Sequence, residues 1–265
     1  MATPFMIVGM VHLGNLNPSS HGVDIDAVEE AAIADALALK KAGFDGVMIE
    51  NFGDAPFFPD RVPAHTIASM SRIAHSVSLA LNQDFVAPTL GINVLRNDAQ
   101  GALAVAASVG ADFVRVNVLI GAMVTDQGII EGKAHEVIRT RNQLAPKCEV
   151  WADLRVKHAA PLAERPLSEE AHDLWTRSGA SAIIVSGSRT GAPLDPAEID
   201  TIRSAVPDAR IIAGSGVTPD QIPNLVPRLD GIIVGTWIKA EGKSSNPVDP
   251  ERASRFVEAV HANLE

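Results

Sequence analysis

Short apolar runs alternate with amphipathic helical stretches eight times, and this alternation is what most limits the folds open to the 265-residue chain. The strand-like runs lie at 5–12, 45–50, 87–93, 112–118, 149–153, 182–186, 210–214 and 231–235, each followed by a helical segment. Such a repeat argues for parallel strands joined by helical crossovers. Eight units suit a closed barrel better than an open sheet, so the expected fold class is α/β, a single (β/α)8 barrel over residues 1–265. Internal echoes support the repeat. "KAGFDGVMIEN", "SVGADFVRVNV" and "RSGASAIIVSG" share one design, a helix end, a glycine, a polar turn and a strand. Gly43, Gly110 and Gly179 stand where a helix needs a left-handed C-cap. Asp26 with Glu29 reads as a capping box, and Thr218-Pro219 and Asp249-Pro250 as N-caps followed by proline.

Composition matters for what it excludes. With 46% hydrophobic and 20% charged residues the chain can bury a large core. A net charge of -10 argues against nucleic acid as a partner, because phosphate contacts need a basic surface. The single cysteine, Cys148, excludes an intrachain disulfide and reads as a buried core thiol. No apolar stretch reaches about 18 residues and no basic leader opens the chain, so membrane insertion is not expected and a cytoplasmic location is. Association into a homo-oligomer is left open.

In such a barrel the chemistry sits at the C-terminal strand ends. His12, Glu50 and Asn93 end the first three strands, Arg115 and Asn117 share a face of the fourth, and Asp153 ends the fifth. If that strand runs on, Arg155 and Lys157 share the face of Asp153. His12 and His158 can meet at the same face, whereas His65, His75, His135, His172 and His261 fall on helices and read as solvated. Gly214, Ser215 and Gly216 after the seventh strand, with Gly235 and Thr236 after the eighth, form a candidate phosphate cradle of backbone N–H groups. Ser186, Gly187 and Arg189 in "SGSRTG" extend it, Arg189 as a clamp for the anion. Three segments, 13–23, 51–63 and 119–132, are long for βα loops and are candidates for a lid or part of the site. Glu50 and Asp153 offer hard oxygen ligands for a Mg2+ ion, or else pair with Arg115 or Lys157. A lysine in this position can form a Schiff base, but Asp153 nearby favours its charged form, so the expected role of Lys157 is to hold a substrate oxygen or phosphate. The histidines show no metal-ligand spacing, and the nucleophile-elbow, zincin and Walker motifs are absent.

The segments "IENFGDAPF", "GINVLRNDAQGALAVA", "FVRVNV", "VTDQGIIEGKAHEVIR", "ADLRVKHAAPL", "GSGVT", "DGIIVGTWIK" and "PVDPERASRFV" resemble the BtpA/SgcQ family from about residue 6 to 258. The resemblance implies a TIM-type barrel. It fixes no reaction: the family takes its name from a cyanobacterial member tied to photosystem I biogenesis, and another branch sits beside sugar-uptake functions. It also implies site roles for Glu50, Asn51, Asn93, Arg96, Asn97, Asp98, Arg115, Asn117, Thr125, Asp126, Asp153, Lys157 and His158. The stretches "SGSRTGAPLD" and "ERASRFV" are less typical, which leaves specificity near Arg189 open. The expected function is an enzyme acting on a small anionic, phosphorylated metabolite such as a sugar phosphate, with lyase, isomerase and hydrolase chemistry all open. The alternatives are a non-catalytic factor in membrane-complex biogenesis and a glycoside or nucleoside hydrolase with Glu50 and Asp153 as its paired carboxylates.

Overall fold

The computed structural model describes residues 4–17, 24–83, 86–187 and 194–264. In chain order the elements are β1 (Met6–His12), α1 (Ile25–Ala42), β2 (Gly46–Glu50), α2 (Ala64–Leu81), β3 (Thr89–Asn93), α3 (Ala99–Val109) and β4 (Phe113–Val116). There follow β5 (Ala122–Thr125), β6 (Gly128–Glu131), α4 (Ala134–Leu144), β7 (Glu149–Leu154), β8 (Ala159–Pro161), α5 (Leu167–Arg177) and β9 (Ala182–Ser186). The chain ends with α6 (Pro196–Ala205), β10 (Ile211–Ser215), α7 (Ile222–Leu225), β11 (Gly231–Val234) and α8 (Pro250–His261). Eight strands close a parallel barrel in the order β1-β11-β10-β9-β7-β4-β3-β2, as the alternation predicts. Among the described residues no helix is long and apolar enough to cross a membrane.

Two apolar layers hold the barrel. Outside it, strand residues such as Ile7, Val47, Ile92, Val114 and Ile183 pack against the helices. Inside it, Val8, Met10, Met48, Phe113, Trp151, Ile184, Ile212 and Ile233 fill the middle. Phe113 and Trp151 stack with ring centroids 3.8 Å apart. Gly91 makes room for that stack: a Cβ there would lie 2.2 Å from the Phe113 ring. The lower end is closed by paired polar groups, with Glu149 accepting from Trp151 Nε1 at 2.6 Å and from Arg210 at 3.1 Å. The barrel is therefore a filled core, and the polar residues left over collect at the other end.

Several local expectations need correction. The N-cap of α1 is Asp24, whose carboxylate accepts from the Asp26 and Ala27 amides, so Asp26 and Glu29 form no capping box. Asp26 and Glu29 instead pair with Arg72 of α2. Thr218 is an N-cap followed by Pro219, as expected, and the helix they open is a 3-10 turn that leads into the four-residue α7. Asp249 caps α8 as expected, and Gly43, Gly110 and Gly179 all have positive φ. Strand β7 stops at Leu154, because Arg155 takes φ 57°. Its side chain turns away to Glu170 at 2.9 Å and does not share a face with Asp153. The long 119–132 segment folds into a β5–β6 hairpin that pairs with β8 in an antiparallel sheet, an element the strand–helix alternation does not show.

Candidate active site

Parallel register explains how the polar residues meet. His12 pairs with Glu50, Glu50 with Asn93 and Asn93 with Arg115 across four adjacent strands, in one row. That row lies above the apolar filling of the barrel. Asp153 enters from β7 and receives hydrogen bonds from Arg115 Nε at 2.9 Å, Arg115 Nη2 at 2.7 Å and Asn117 Nδ2 at 2.8 Å. Arg115 and Asp153 are both buried, and this pairing keeps a guanidinium inside the barrel. Asn93 donates to Glu50 Oε2. Glu50 and Asp153, the candidate Mg2+ ligands, therefore already accept from protein donors, and Asp153 pairs with Arg115, not Lys157. Among the described residues no group of three or more His, Cys, Asp or Glu side chains is placed to hold a metal.

Above this layer lies a cavity of about 230 Å3. Its described walls include His12, Glu50, Arg96, Arg115, Asn117, Lys157 and His158 on the polar side and Gly214, Ser215, Gly216, Gly235 and Thr236 on the glycine side. His12 is fixed by its neighbours. Its ring stacks on Phe52 with centroids 4.5 Å apart, and Nδ1 lies 2.9 Å from the Ser244 carbonyl oxygen. A carbonyl only accepts, so Nδ1 carries the proton and Nε2, 3.7 Å from Glu50 Oε1, presents its lone pair. Burial pushes the His12 pKa down, against the pull of Glu50, so the ring is neutral near pH 7. A neutral imidazole facing a cavity can take or return a substrate proton.

Lys157 donates to Ser215 Oγ at 3.3 Å, linking the two walls. Burial, with Arg115 and Arg96 beside it, holds its ammonium below the ordinary lysine range, although Glu50 and Asp153 pull the other way. Arg96 Nη2 donates to the Lys157 carbonyl at 2.7 Å, which fixes the backbone of that loop. His158, at φ 58°, is also pushed down by burial and by the Lys157 charge. Three buried polar atoms on or near the walls have no partner among the described residues: Arg96 Nε, Asn117 Oδ1 and Ser186 Oγ. Such atoms are costly unless something else satisfies them.

The glycine wall has local causes. Between Ala213 and Ser215 the register of β10 against β9 shifts by a residue, so Gly214 sits in a bulge. A Cβ on Gly214 would meet Ile184 Cγ2 at 2.3 Å and Ser186 Oγ at 2.9 Å, so this glycine serves packing as well as the cavity. Gly216 has φ 78°, a conformation other residues adopt at a cost.

Other expected site residues do different work. Asn51 accepts from the Leu95 amide at 2.7 Å and donates to Asp54, tying two loops together. Asn97 pairs with both backbone groups of Val118, at 3.0 and 2.8 Å. Asp98 caps α3 through the Gly101 amide and accepts from Val62. Thr125 and Asp126 shape the turn of the β5–β6 hairpin, away from the cavity walls, although the Asp126 charge is felt by Arg96 and His158. Ser186 ends β9 with Gly187 just after it, near Gly214 but outside the described cavity walls. Arg189 lies outside the described residues. Cys148 is buried, and its thiol is pushed up to about 12. The five helical histidines are exposed. Phe52, Phe57 and Ser244 line the cavity without having been singled out by the sequence. Phe52 and Phe57 lie in a long βα loop that the sequence does mark, whereas Ser244 sits past the last strand with no motif to betray it.

Residues 4–262 match the BtpA family. A protein of Thermococcus kodakarensis is 44% identical over 95% of this chain and 94% of its own length. The photosystem I biogenesis protein BtpA of Synechocystis is 41% identical over 97% of this chain and 88% of its own. Among solved structures, native KDPGal superposes with a TM-score of 0.58 at 18% identity, covering 97% of this chain and 95% of that one. Phosphoribosyl anthranilate isomerase from Thermus thermophilus gives 0.59 at 13%, covering 98% and 100%. At those identities the likeness is one of fold.

Proposed function

The chain belongs to the BtpA family, and we propose that it is an enzyme acting on a small phosphorylated metabolite of the sugar-phosphate kind. One observation carries the reading: a small cavity has a histidine fixed through Nδ1 on a backbone carbonyl, a carboxylate and a half-buried lysine on one wall and two glycine-rich strand ends on the other. Backbone amides at Gly214–Gly216 and Gly235–Thr236 would hold the phosphate, as glycine loops after the last two strands of such barrels do. Arg96 would add positive charge at the same mouth. His12 would move a proton at the carbon skeleton, with Glu50 balancing the imidazolium charge. This reading assigns anion binding to amides and cations rather than to Mg2+, since Asp153 and Glu50 already accept from Arg115, Asn117 and Asn93. The same bonds argue against Asp153 as a nucleophile or water-activating base, the role a paired-carboxylate hydrolase would give it.

The name of the Synechocystis relative supports a second reading, a non-catalytic assembly factor. A thermal-shift titration separates the two. A phosphate ester at about 100 times its Kd should add about 2.7 kcal/mol, on the order of 5–10 °C in Tm for a domain of this size. Stabilisation by triose to hexose phosphates, and not by the parent sugars, is the expected result. No stabilisation by any phosphate ester would favour the assembly reading.

A further inference from the structure

We propose that Lys157 is a covalent catalyst that forms a Schiff base with the carbonyl of an α-hydroxy-carbonyl phosphate bound in this cavity; the inference rests on the phosphate-ester reading above. The geometry reverses the role expected from sequence. Asp153, the carboxylate expected to hold Lys157 as an ammonium, is occupied by Arg115 and Asn117. Among the described residues no carboxylate lies within ion-pair distance of Nζ, whose contact is the Ser215 hydroxyl at 3.3 Å. The half-buried Lys157 lines a small cavity, and it faces a wall whose glycines leave room for a ligand. Burial is the main influence against its charge, with Arg115 and Arg96 adding to it and the Glu50 and Asp153 carboxylates opposing it. A desolvated lysine among cations is how proteins obtain an amine nucleophile near neutral pH.

The partnerless Asn117 Oδ1 narrows the substrate class. It is buried in the same wall and can only accept, so it calls for a donor from the ligand. A hydroxyl beside the carbonyl supplies one. A phosphate at the glycine wall, a carbonyl at Lys157 and a hydroxyl at Asn117 together describe a short hydroxy-carbonyl phosphate.

The step balances without a cofactor. The neutral Nζ attacks the carbonyl carbon, a C–N bond forms and the C=O π pair moves to oxygen. One proton passes from nitrogen to that oxygen, giving a carbinolamine. A second proton, from solvent, converts the hydroxyl to water, which leaves as the nitrogen lone pair closes the C=N bond. The resulting iminium withdraws electrons from the neighbouring carbon, where neutral His12 is the available base.

Borohydride trapping tests the assignment. The full-length protein is incubated with dihydroxyacetone phosphate or D-glyceraldehyde 3-phosphate, reduced, and analysed by intact-mass and peptide mass spectrometry. Thermal shifts with the same compounds and with glycerol 3-phosphate, which has no carbonyl, run in parallel. We expect one reduced adduct per chain, mapped to Lys157, suppressed by glycerol 3-phosphate and lost in Lys157→Arg. The mapping in the unmodified chain stands even if the variant folds poorly. Stabilisation by the phosphates with no adduct on Lys157 would overturn the covalent role and leave the phosphate-ester reading intact. Adducts spread over surface lysines would overturn it equally. Neither stabilisation nor adduct would remove both.

Discussion

Asp153 accepts two hydrogen bonds from Arg115 and one from Asn117, at 2.9, 2.7 and 2.8 Å, inside a barrel whose neighbouring layer is aromatic and aliphatic. A guanidinium fully removed from water depends on such a partner, and removing one member of a buried pair leaves the other's desolvation uncompensated. Asp153→Ala should therefore lower unfolding free energy by about 3–5 kcal/mol, read from the urea midpoint at unchanged m-value. A loss below about 1 kcal/mol would mean that Arg115 finds another anion or water, and the charge balance described for the mouth would be wrong. The same pairing is what frees Lys157. Sequence spacing brings Asp153 near Lys157, but the left-handed turn at Arg155 breaks the strand between them. No periodicity argument contains that turn, because it belongs to one residue's φ angle.

At the level of elements, the strand–helix alternation carries nearly all the information about the barrel. Each expected barrel strand is found within two residues of its observed bounds, because an apolar run between polar turns has few other places to go. The β5–β6 hairpin and β8 escape notice for the opposite reason. They are short, and Val124 and Ile129 are exposed, so no burial pattern marks them. The strand-end residues His12, Glu50, Arg115 and Asp153 are legible because parallel register puts strand ends together. Asn51, Asn97 and Asp98 are polar at similar places yet cap helices and tie loops, a distinction that depends on side-chain direction. The glycine wall can be probed at Gly235, where an added Cβ would enter the cavity 3.1 Å from His12 Cε1. Gly235→Ala should remain folded and bind phosphate esters about tenfold more weakly or worse, a change of roughly 1.4 kcal/mol in calorimetric titration. Unchanged affinity in a folded variant would remove Gly235 from the cradle. Gly216→Val is a less direct probe, since φ 78° adds backbone strain of about 1–2 kcal/mol to any effect on binding.

Over the whole molecule, a chain of net charge -10 keeps Arg96, Arg115 and Lys157 together at one end of its barrel. The opposite end is closed by Glu149, Trp151 and Arg210, so the molecule has one polar mouth and one sealed floor. A few cations gathered at one cavity of an acidic chain suit a small anion that the walls can enclose better than a polyanion that needs a broad basic face. On the proposed function this mouth holds a phosphate ester against its glycine wall. A crystal structure of the protein with glycerol 3-phosphate tests this most simply, because that ester has no carbonyl with which an amine could react. Phosphate oxygens are expected about 2.7–3.2 Å from backbone nitrogens of the 214–216 and 235–236 segments, with the glycerol carbons directed toward Lys157 and His12. A phosphate bound elsewhere on the barrel, or a mouth without ligand at concentrations that stabilise the protein in solution, would contradict it.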